Sequence, residues 1–137
     1  MRFLVKGGHY MANQIIITIG REYGSGGHDI AREIALHYGI MLYDRSLLDD
    51  VASDEPNINT NALEELQFDY IKNKAAERES FVVVGRCAET VLRDRYNIIS
   101  IFVTADFQDR IKRVKRIYNI DTTAIQNPSG VMLQLMI

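Results

Sequence analysis

One stretch decides the fold of this chain: Ile15-Ile16-Ile17-Thr18-Ile19-Gly20-Arg21-Glu22-Tyr23-Gly24-Ser25-Gly26-Gly27-His28. A run of mostly β-branched residues breaks into a glycine-rich turn, and a helical pattern begins directly after it. Glycines adopt backbone angles that other residues avoid, so successive N–H groups in such a turn can converge on an anion. The following helix adds unpaired N-terminal donors and the positive end of its dipole. The stretch therefore predicts a buried strand, a phosphate-binding loop and a helix.

Three interpretations of the loop compete. A dinucleotide-binding loop needs G-x-G-x-x-G, but Asp29 stands at the third glycine position, although Asp44 could serve as the ribose-binding acid. A loop of the form G-x-x-x-x-G-K-[ST] matches the shape better, with Arg21 at the first glycine. It then has Gly27 in place of the lysine and His28 in place of the hydroxyl residue. The third interpretation is a tight turn that holds no ligand.

The remaining pattern alternates strands and helices. We expect buried strands at 15–19, 40–43, 81–84 and 98–103, because these runs are short and apolar. The helices are expected at 28–38, around 47–51, and at 61–79, 87–94 and 106–118. This order predicts an α/β protein with a parallel sheet and right-handed crossovers.

Helical spacing also predicts which faces are buried. In the first helix, the stripe consists of Ile30, Ile34 and Tyr38, with Ala31 and Ala35 beside it. In the last helix, the stripe is Phe107, Ile111, Val114 and Tyr118. Asn61 and Glu64 have the spacing of a capping box. This spacing predicts that Asn61 is the N-cap of the helix that ends near Glu79.

Composition excludes several classes of protein. The 16 basic and 18 acidic residues give a net charge of −2, whereas a nucleic-acid binder normally carries a basic excess. No apolar run approaches the ~20 residues that span a bilayer, so no membrane partner is expected. The single cysteine, Cys87, excludes an internal disulfide and a cysteine-rich zinc site. These observations favour a cytoplasmic protein.

The two ends of the chain differ from its centre. Residues 1–13 show no periodicity and are expected to form a disordered extension, so that 14–137 is a single domain. Residues 131–137 are almost entirely apolar, which suggests a last strand, the stump of a longer protein, or a surface that joins two copies of the chain.

Three ordered motifs resemble the cytidylate kinase-like family, a branch of the nucleoside monophosphate kinases whose members often carry this lysine-free loop. The first is the loop itself. The others are Tyr43-Asp44-Arg45-Ser46-Leu47-Leu48 and Val83-Val84-Gly85-Arg86-Cys87-Ala88-Glu89, the latter followed by similar stretches at 101–105 and 109–114. The resemblance runs from about residue 14 to about residue 120. It implies a three-layer sandwich with a mainly parallel sheet, of the P-loop nucleoside triphosphate hydrolase type.

The resemblance also implies an activity: transfer of the terminal phosphoryl group of ATP, with Mg²⁺, to a nucleoside monophosphate such as CMP. Backbone donors for the triphosphate would come from the loop, and no residue is predicted as a metal ligand. The residues implied for this cofactor site are Gly20, Gly24, Ser25, Gly26, Gly27 and His28.

Without a loop lysine, positive charge on the moving phosphoryl group must come from Mg²⁺ and from arginines. Arg21 lies within the loop, and Arg110 and Arg113 lie one turn apart in the region that leads to the lid in this family. These three arginines are therefore the candidate catalytic residues. The alternatives are a surface arginine on a turn for Arg21 and a solvated basic face for the other two.

The acceptor site is placed by the same resemblance. Tyr43, Asp44 and Arg45 stand at the end of the second strand, and Arg86 follows the third, where its fork could clamp a phosphate. For Arg86 the alternative is a helix-start arginine paired with an acidic neighbour. Classical cytidylate kinases have an aspartate where this chain has Cys87, so the base of the acceptor stays open.

Two departures leave other functions open. The segment between the second and third strands is short, and the chain after about residue 120 does not match the family's lid region. A nucleotide-binding protein without catalysis, or a small-molecule kinase with a non-nucleotide acceptor, therefore stands beside the nucleotide kinase.

Overall fold

A parallel sheet forms the centre of the molecule. The computed structural model describes residues 2–5, 9–52, 59–85 and 88–119, with side chains at 13–50, 59–85 and 88–119. The strands of the sheet are β3 (Ile16–Arg21), β4 (Met41–Tyr43), β5 (Phe81–Val84) and β6 (Ile98–Val103). They are arranged in the order β4-β5-β3-β6, and all neighbouring pairs are parallel. The glycine-rich loop thus follows an internal strand that has partners on both sides.

Helices cover both faces of this sheet. They are α1 (Gly27–Tyr38), α2 (Arg45–Ala52), α3 (Thr60–Ala76), α4 (Ala88–Leu92) and α5 (Phe107–Tyr118). One core cluster lies between the sheet and α1 and consists of Ile17, Ile19, Ala31, Ala35, Val82 and Val84. The other lies against α2, α3 and α4 and consists of Ile16, Tyr43, Leu48, Ile71, Ala75, Phe81, Val83, Ala88 and Leu92. The expected α/β architecture with three layers is confirmed.

The buried face of α1 differs from the predicted stripe. Ala31 and Ala35 are buried against the sheet, whereas Ile30 and Tyr38 are exposed. The predicted Ile34 also packs against this core cluster. Small side chains let a helix approach a sheet closely, so the two alanines form the most deeply buried part of the contact. In α5 the predicted Ile111 is buried as expected, but Phe107 and Tyr118 at the two ends of the stripe are exposed.

The start of α3 also corrects a prediction. Asn59 caps the helix by accepting a hydrogen bond of 2.9 Å from the Ala62 N–H at its side-chain oxygen, and Asn61 lies inside the first turn. Asparagine is favoured at the N-cap because its oxygen satisfies one unpaired backbone donor. Either asparagine could cap a helix, but the backbone becomes helical directly after Asn59, so Asn59 is the N-cap.

The N-terminal segment is more regular than the sequence predicts. Strands β1 (Arg2–Val5) and β2 (His9–Ala12) pair antiparallel, with Arg2 opposite Ala12 and Val5 opposite His9. The expectation of a disordered extension is therefore wrong for these eight residues. None of the helices in the described part of the chain is both long enough and apolar enough to cross a membrane.

Candidate functional site

The loop between β3 and α1 has the backbone of an anion-binding turn. Gly24 and Gly26 adopt left-handed angles, with φ of 78° and 87°. Gly26 is the N-cap of α1, and no side chain caps this helix end. The first N–H groups of α1 therefore point out at the carboxyl edge of the sheet, where ligands bind in open parallel sheets.

Ser25 carries an unsatisfied hydroxyl in the middle of this loop. Its backbone N–H donates to the Glu22 carbonyl at 3.1 Å, which shapes the turn. The residue is only 8% exposed, and its Oγ has no hydrogen-bond partner among the described residues. Buried hydroxyls are nearly always bonded, and leaving one unpaired costs about 1–3 kcal/mol. A bound ligand that accepts from this hydroxyl would remove that cost.

Arg21 fills the space at the lysine position of the loop. A Cβ built on Gly27 would stand 2.6 Å from the Arg21 Cβ, so no side chain fits at residue 27 beside this arginine. At its other end, Nη1 of Arg21 lies 3.0 Å from the Cβ position of Gly85, just beyond β5. Arg21 makes no ion pair with any described residue. Its guanidinium thus lies between the loop and the end of the neighbouring strand, with no described carboxylate as a partner.

A cavity of about 520 Å³ opens in front of the loop. Its lining carries Arg21, Arg32, Arg45 and Arg113 against Glu22 and Asp29, which gives the wall an excess of positive charge, and it also includes Gly24, Gly26, Gly27 and His28. The structure thus brings together two of the three candidate catalytic arginines, most of the predicted loop residues, and Arg45. A wall of several arginines around backbone donors suits a ligand that carries more than one phosphate group.

Arg113 lies directly over the loop. Its guanidinium carbon is 2.8 Å from the Cβ position of Gly26, and its Nη1 donates to the Asp29 carboxylate at 3.0 Å. Asp29 lies in the first turn of α1, so this ion pair joins α5 to the start of that helix. The pair is partly exposed, and an anion on the loop can compete with Asp29 for the same guanidinium.

Arg110 has a different environment from Arg113. Its side chain is only 16% exposed, and its Nη2 lies 3.1 Å from the Glu22 carboxylate. It also donates to the backbone carbonyls of Ala105 and Tyr23. These hydrogen bonds and the ion pair hold Arg110 against the loop, so it joins α5 to the loop and does not line the cavity.

His28 and Asp44 connect the loop to the end of β4. His28 Nε2 donates to Asp44 Oδ2 at 2.8 Å, and the Leu47 N–H donates to Oδ1 at 3.0 Å. Burial by itself raises the pKa of Asp44, but the hydrogen bonds from Leu47 and His28 outweigh it and lower that pKa below its usual value. Asp44 is therefore ionised at neutral pH, and it holds the imidazole in place while it starts α2.

Other predicted residues lie outside the cavity. Tyr43 is buried between Tyr70 and Phe81 and donates its hydroxyl to Glu79; burial and that hydrogen bond raise its pKa well above the usual range. It is therefore a core residue and does not contact a ligand in the cavity. Gly20 lies within β3, where a Cβ would meet the Phe102 ring at 2.7 Å, so this glycine is required by packing. The predicted phosphate clamp Arg86 and the apolar segment 131–137 lie outside the described residues.

A group of apolar residues that the sequence pattern does not predict as a site lies on the same cavity. Tyr23, Ile117 and Tyr118 line it, and Ile117 and Tyr118 are each 58% exposed. Burial, and a hydrogen bond to Tyr118, raise the pKa of Tyr23 to about 12. The available signals were the position of Tyr23 inside the glycine loop and that of Tyr118 at the end of an amphipathic helix. Neither signal shows that the two side chains meet.

The residues around the loop suit the phosphates of ATP better than they suit a metal ion held by the protein alone. The open N–H groups of the loop, and Arg21 without an ion pair to any described residue, suit a triphosphate. Within the described residues, no three histidine, cysteine or acidic side chains gather as metal ligands. Mg²⁺ commonly takes most of its ligands from phosphates and water, so it would arrive with the nucleotide.

Comparison with known proteins identifies the relatives of the chain. The model of the cytidylate kinase-like family matches residues 16–68 and 57–127. Among solved structures, an uncharacterized protein from Eubacterium ventriosum is 45% identical with a TM-score of 0.76, over 89% of this chain and 73% of that one. A "putative kinase" from Chloroflexus aurantiacus is 12% identical with a TM-score of 0.58, over 80% and 70% of the two chains, and at that identity the likeness shows the fold alone. No curated protein matches.

Proposed function

Because the chain belongs to the cytidylate kinase-like family, we propose that it is a nucleotide kinase. The reaction is transfer of the terminal phosphoryl group of Mg-ATP to a nucleoside monophosphate, with CMP as the expected acceptor. An oxygen of the acceptor phosphate bonds to the terminal phosphorus while the bond from that phosphorus to the bridging oxygen breaks, which yields ADP and a nucleoside diphosphate. A cell supplies both substrates in its cytoplasm, where we expect the enzyme to act.

The observation that carries this proposal is the path of Arg21. Phosphoryl transfer needs alignment and positive charge around the transferred group more than covalent chemistry. Gly27, which replaces the expected lysine, leaves the space through which Arg21 passes. The guanidinium then lies between the loop and Gly85, at the edge where the ends of β3 and β5 meet. Arg21 can therefore supply the charge that a loop lysine supplies elsewhere.

Other residues have supporting roles. Backbone N–H groups from Gly24 to Gly27 would bind the triphosphate. Arg113 lies over Gly26 and would contact the same phosphates after release from Asp29. Arg45, at the β4 side of the cavity, would bind the acceptor phosphate, with His28 and Asp44 holding that end of the site in place.

A coupled assay for ADP tests the proposal, with Mg-ATP and a panel of CMP, UMP, AMP and GMP. We expect turnover with at least one acceptor and a loss on the order of a hundredfold or more in Arg21→Ala, since a single donor to the transition state is worth about that much. Arg21→Lys should recover part of the rate. Arg95→Ala removes an exposed arginine outside both the loop and the cavity and is the matched control.

The assay also separates the competing functions. Turnover of Arg21→Ala close to the wild-type rate would show that Arg21 does not replace the lysine. Binding of ATP with no transfer to any monophosphate would favour a non-catalytic nucleotide-binding protein. ADP formation that requires a small alcohol or acid, and not a nucleotide, would favour a small-molecule kinase.

A further inference from the structure

The lining of the cavity in front of the loop contains two chemically different groups of residues. Arginines and backbone donors lie around the loop, whereas Tyr23, Ile117 and Tyr118 form an apolar wall where Tyr23 meets the end of α5. We call these three residues the tyrosine wall. Such a combination suits a ligand with a charged end and a flat apolar end, because each part then meets a wall of matching character.

Two residues of the tyrosine wall are open to a ligand. Ile117 and Tyr118 each leave 58% of their surface accessible at the cavity, and their neighbour Val114 is buried. Apolar and aromatic side chains that line a pocket beside a few polar groups commonly contact the apolar part of its ligand. Burial and the Tyr118 contact raise the pKa of Tyr23 to about 12, so its phenol carries no negative charge beside a ligand whose other end is anionic.

We propose that the tyrosine wall binds the base of the nucleotide whose phosphates lie on the loop. This inference rests on the proposed function. Tyr23 directly precedes Gly24, so a base on this wall is adjacent to phosphates on the loop. Arg45 lines the same cavity and is the contact proposed for the acceptor phosphate. Every nucleobase has a flat face, so such a wall provides affinity with little selectivity between bases.

The test compares ATP with inorganic tripolyphosphate, each with Mg²⁺, by isothermal titration calorimetry on the whole chain. Tyr118→Ala should weaken ATP binding about tenfold, the effect of one aromatic–base contact, and should change tripolyphosphate binding less than about twofold. Tyr118→Phe keeps the ring and should bind ATP within about twofold of the wild type. Tyr38→Ala removes an equally exposed tyrosine of α1 that lies outside the cavity, and it should change neither affinity.

Each result has a defined meaning. Equal weakening of ATP and tripolyphosphate in Tyr118→Ala would overturn the proposal, because the residue would then act through the loop and not on the base. Unchanged ATP binding in that variant would overturn it as well. Equal affinity of the wild type for tripolyphosphate and ATP would also overturn the proposal, because the base would then add nothing to binding. That result would still support a phosphate site on the loop. If the wild type binds neither, the proposed function itself fails.

Discussion

Replacement of Gly24 by alanine tests whether close contact between α5 and the loop shapes the site. Gly24 has a φ of +78°, and a Cβ there would lie 2.9 Å from the Arg110 carbonyl oxygen and 2.9 Å from Val114 Cγ2. Both atoms belong to α5, and the carbonyl oxygen cannot move without the helix. Gly39 is a matched control, because it has a φ of +63° and no atom within 4 Å of its Cβ position.

The two substitutions share one cost and differ in the other. A left-handed angle costs a non-glycine residue about 1–2 kcal/mol. Reduced freedom of the unfolded chain returns about 0.4–1 kcal/mol of that. Gly39→Ala should therefore lower the free energy of unfolding by about 1 kcal/mol. Gly24→Ala carries in addition the cost of overpacking against α5, about 1–3 kcal/mol, so we expect a loss of about 2–4 kcal/mol.

Urea denaturation followed by circular dichroism measures both losses, and calorimetric titration with tripolyphosphate measures the site. Gly24→Ala should also weaken tripolyphosphate binding, because α5 must move away from the loop to accommodate the methyl group. Gly39→Ala should leave that binding unchanged. Equal stability losses in the two variants would refute the reasoning, since they would show that α5 does not press on residue 24.

Two further predictions concern the charged groups around the loop. Arg110→Ala should lower the free energy of unfolding by about 2–4 kcal/mol in urea denaturation, because it leaves Glu22 and two carbonyls without their partner. As a control, Arg116→Ala at an exposed position should change that free energy by less than about 0.5 kcal/mol. Similar losses in the two variants would contradict the structural role of Arg110. The lowered pKa of Asp44 stabilises the fold above the usual value of 3.8, and this contribution is lost as the pH falls below it, when the carboxylate is protonated. Asp44→Asn should therefore have a lower free energy of unfolding than the wild type at pH 7 in urea denaturation, and it should lose less of that free energy on acidification. The exposed control variant Asp69→Asn should show the same pH dependence as the wild type. An unchanged pH dependence in Asp44→Asn would show that this carboxylate does not contribute.

Local sequence determined the elements and the loop. The apolar run of β3, the glycines after it and the start of α1 are neighbours in the chain, so their order alone predicts a strand, an anion-binding turn and a helix. The alternation of strands and helices likewise predicted the parallel sheet, because only a helical crossover returns the chain to the same edge. Even so, the local pattern erred where two choices suit the same residue types, as with Asn59 and Asn61 at the cap of α3.

Only the tertiary structure decided what the charged and aromatic residues do. Arg110 and Arg113 are equivalent in sequence, yet one is tied to Glu22 and the other lies over Gly26. Tyr43 is buried in the core, while Tyr23 and Tyr118 meet at the cavity from positions 95 residues apart. Arg21 extends from the loop to the end of β5 only because Gly27 and Gly85 leave room for it. These roles depend on distances between separate elements, and spacing along a chain does not contain those distances.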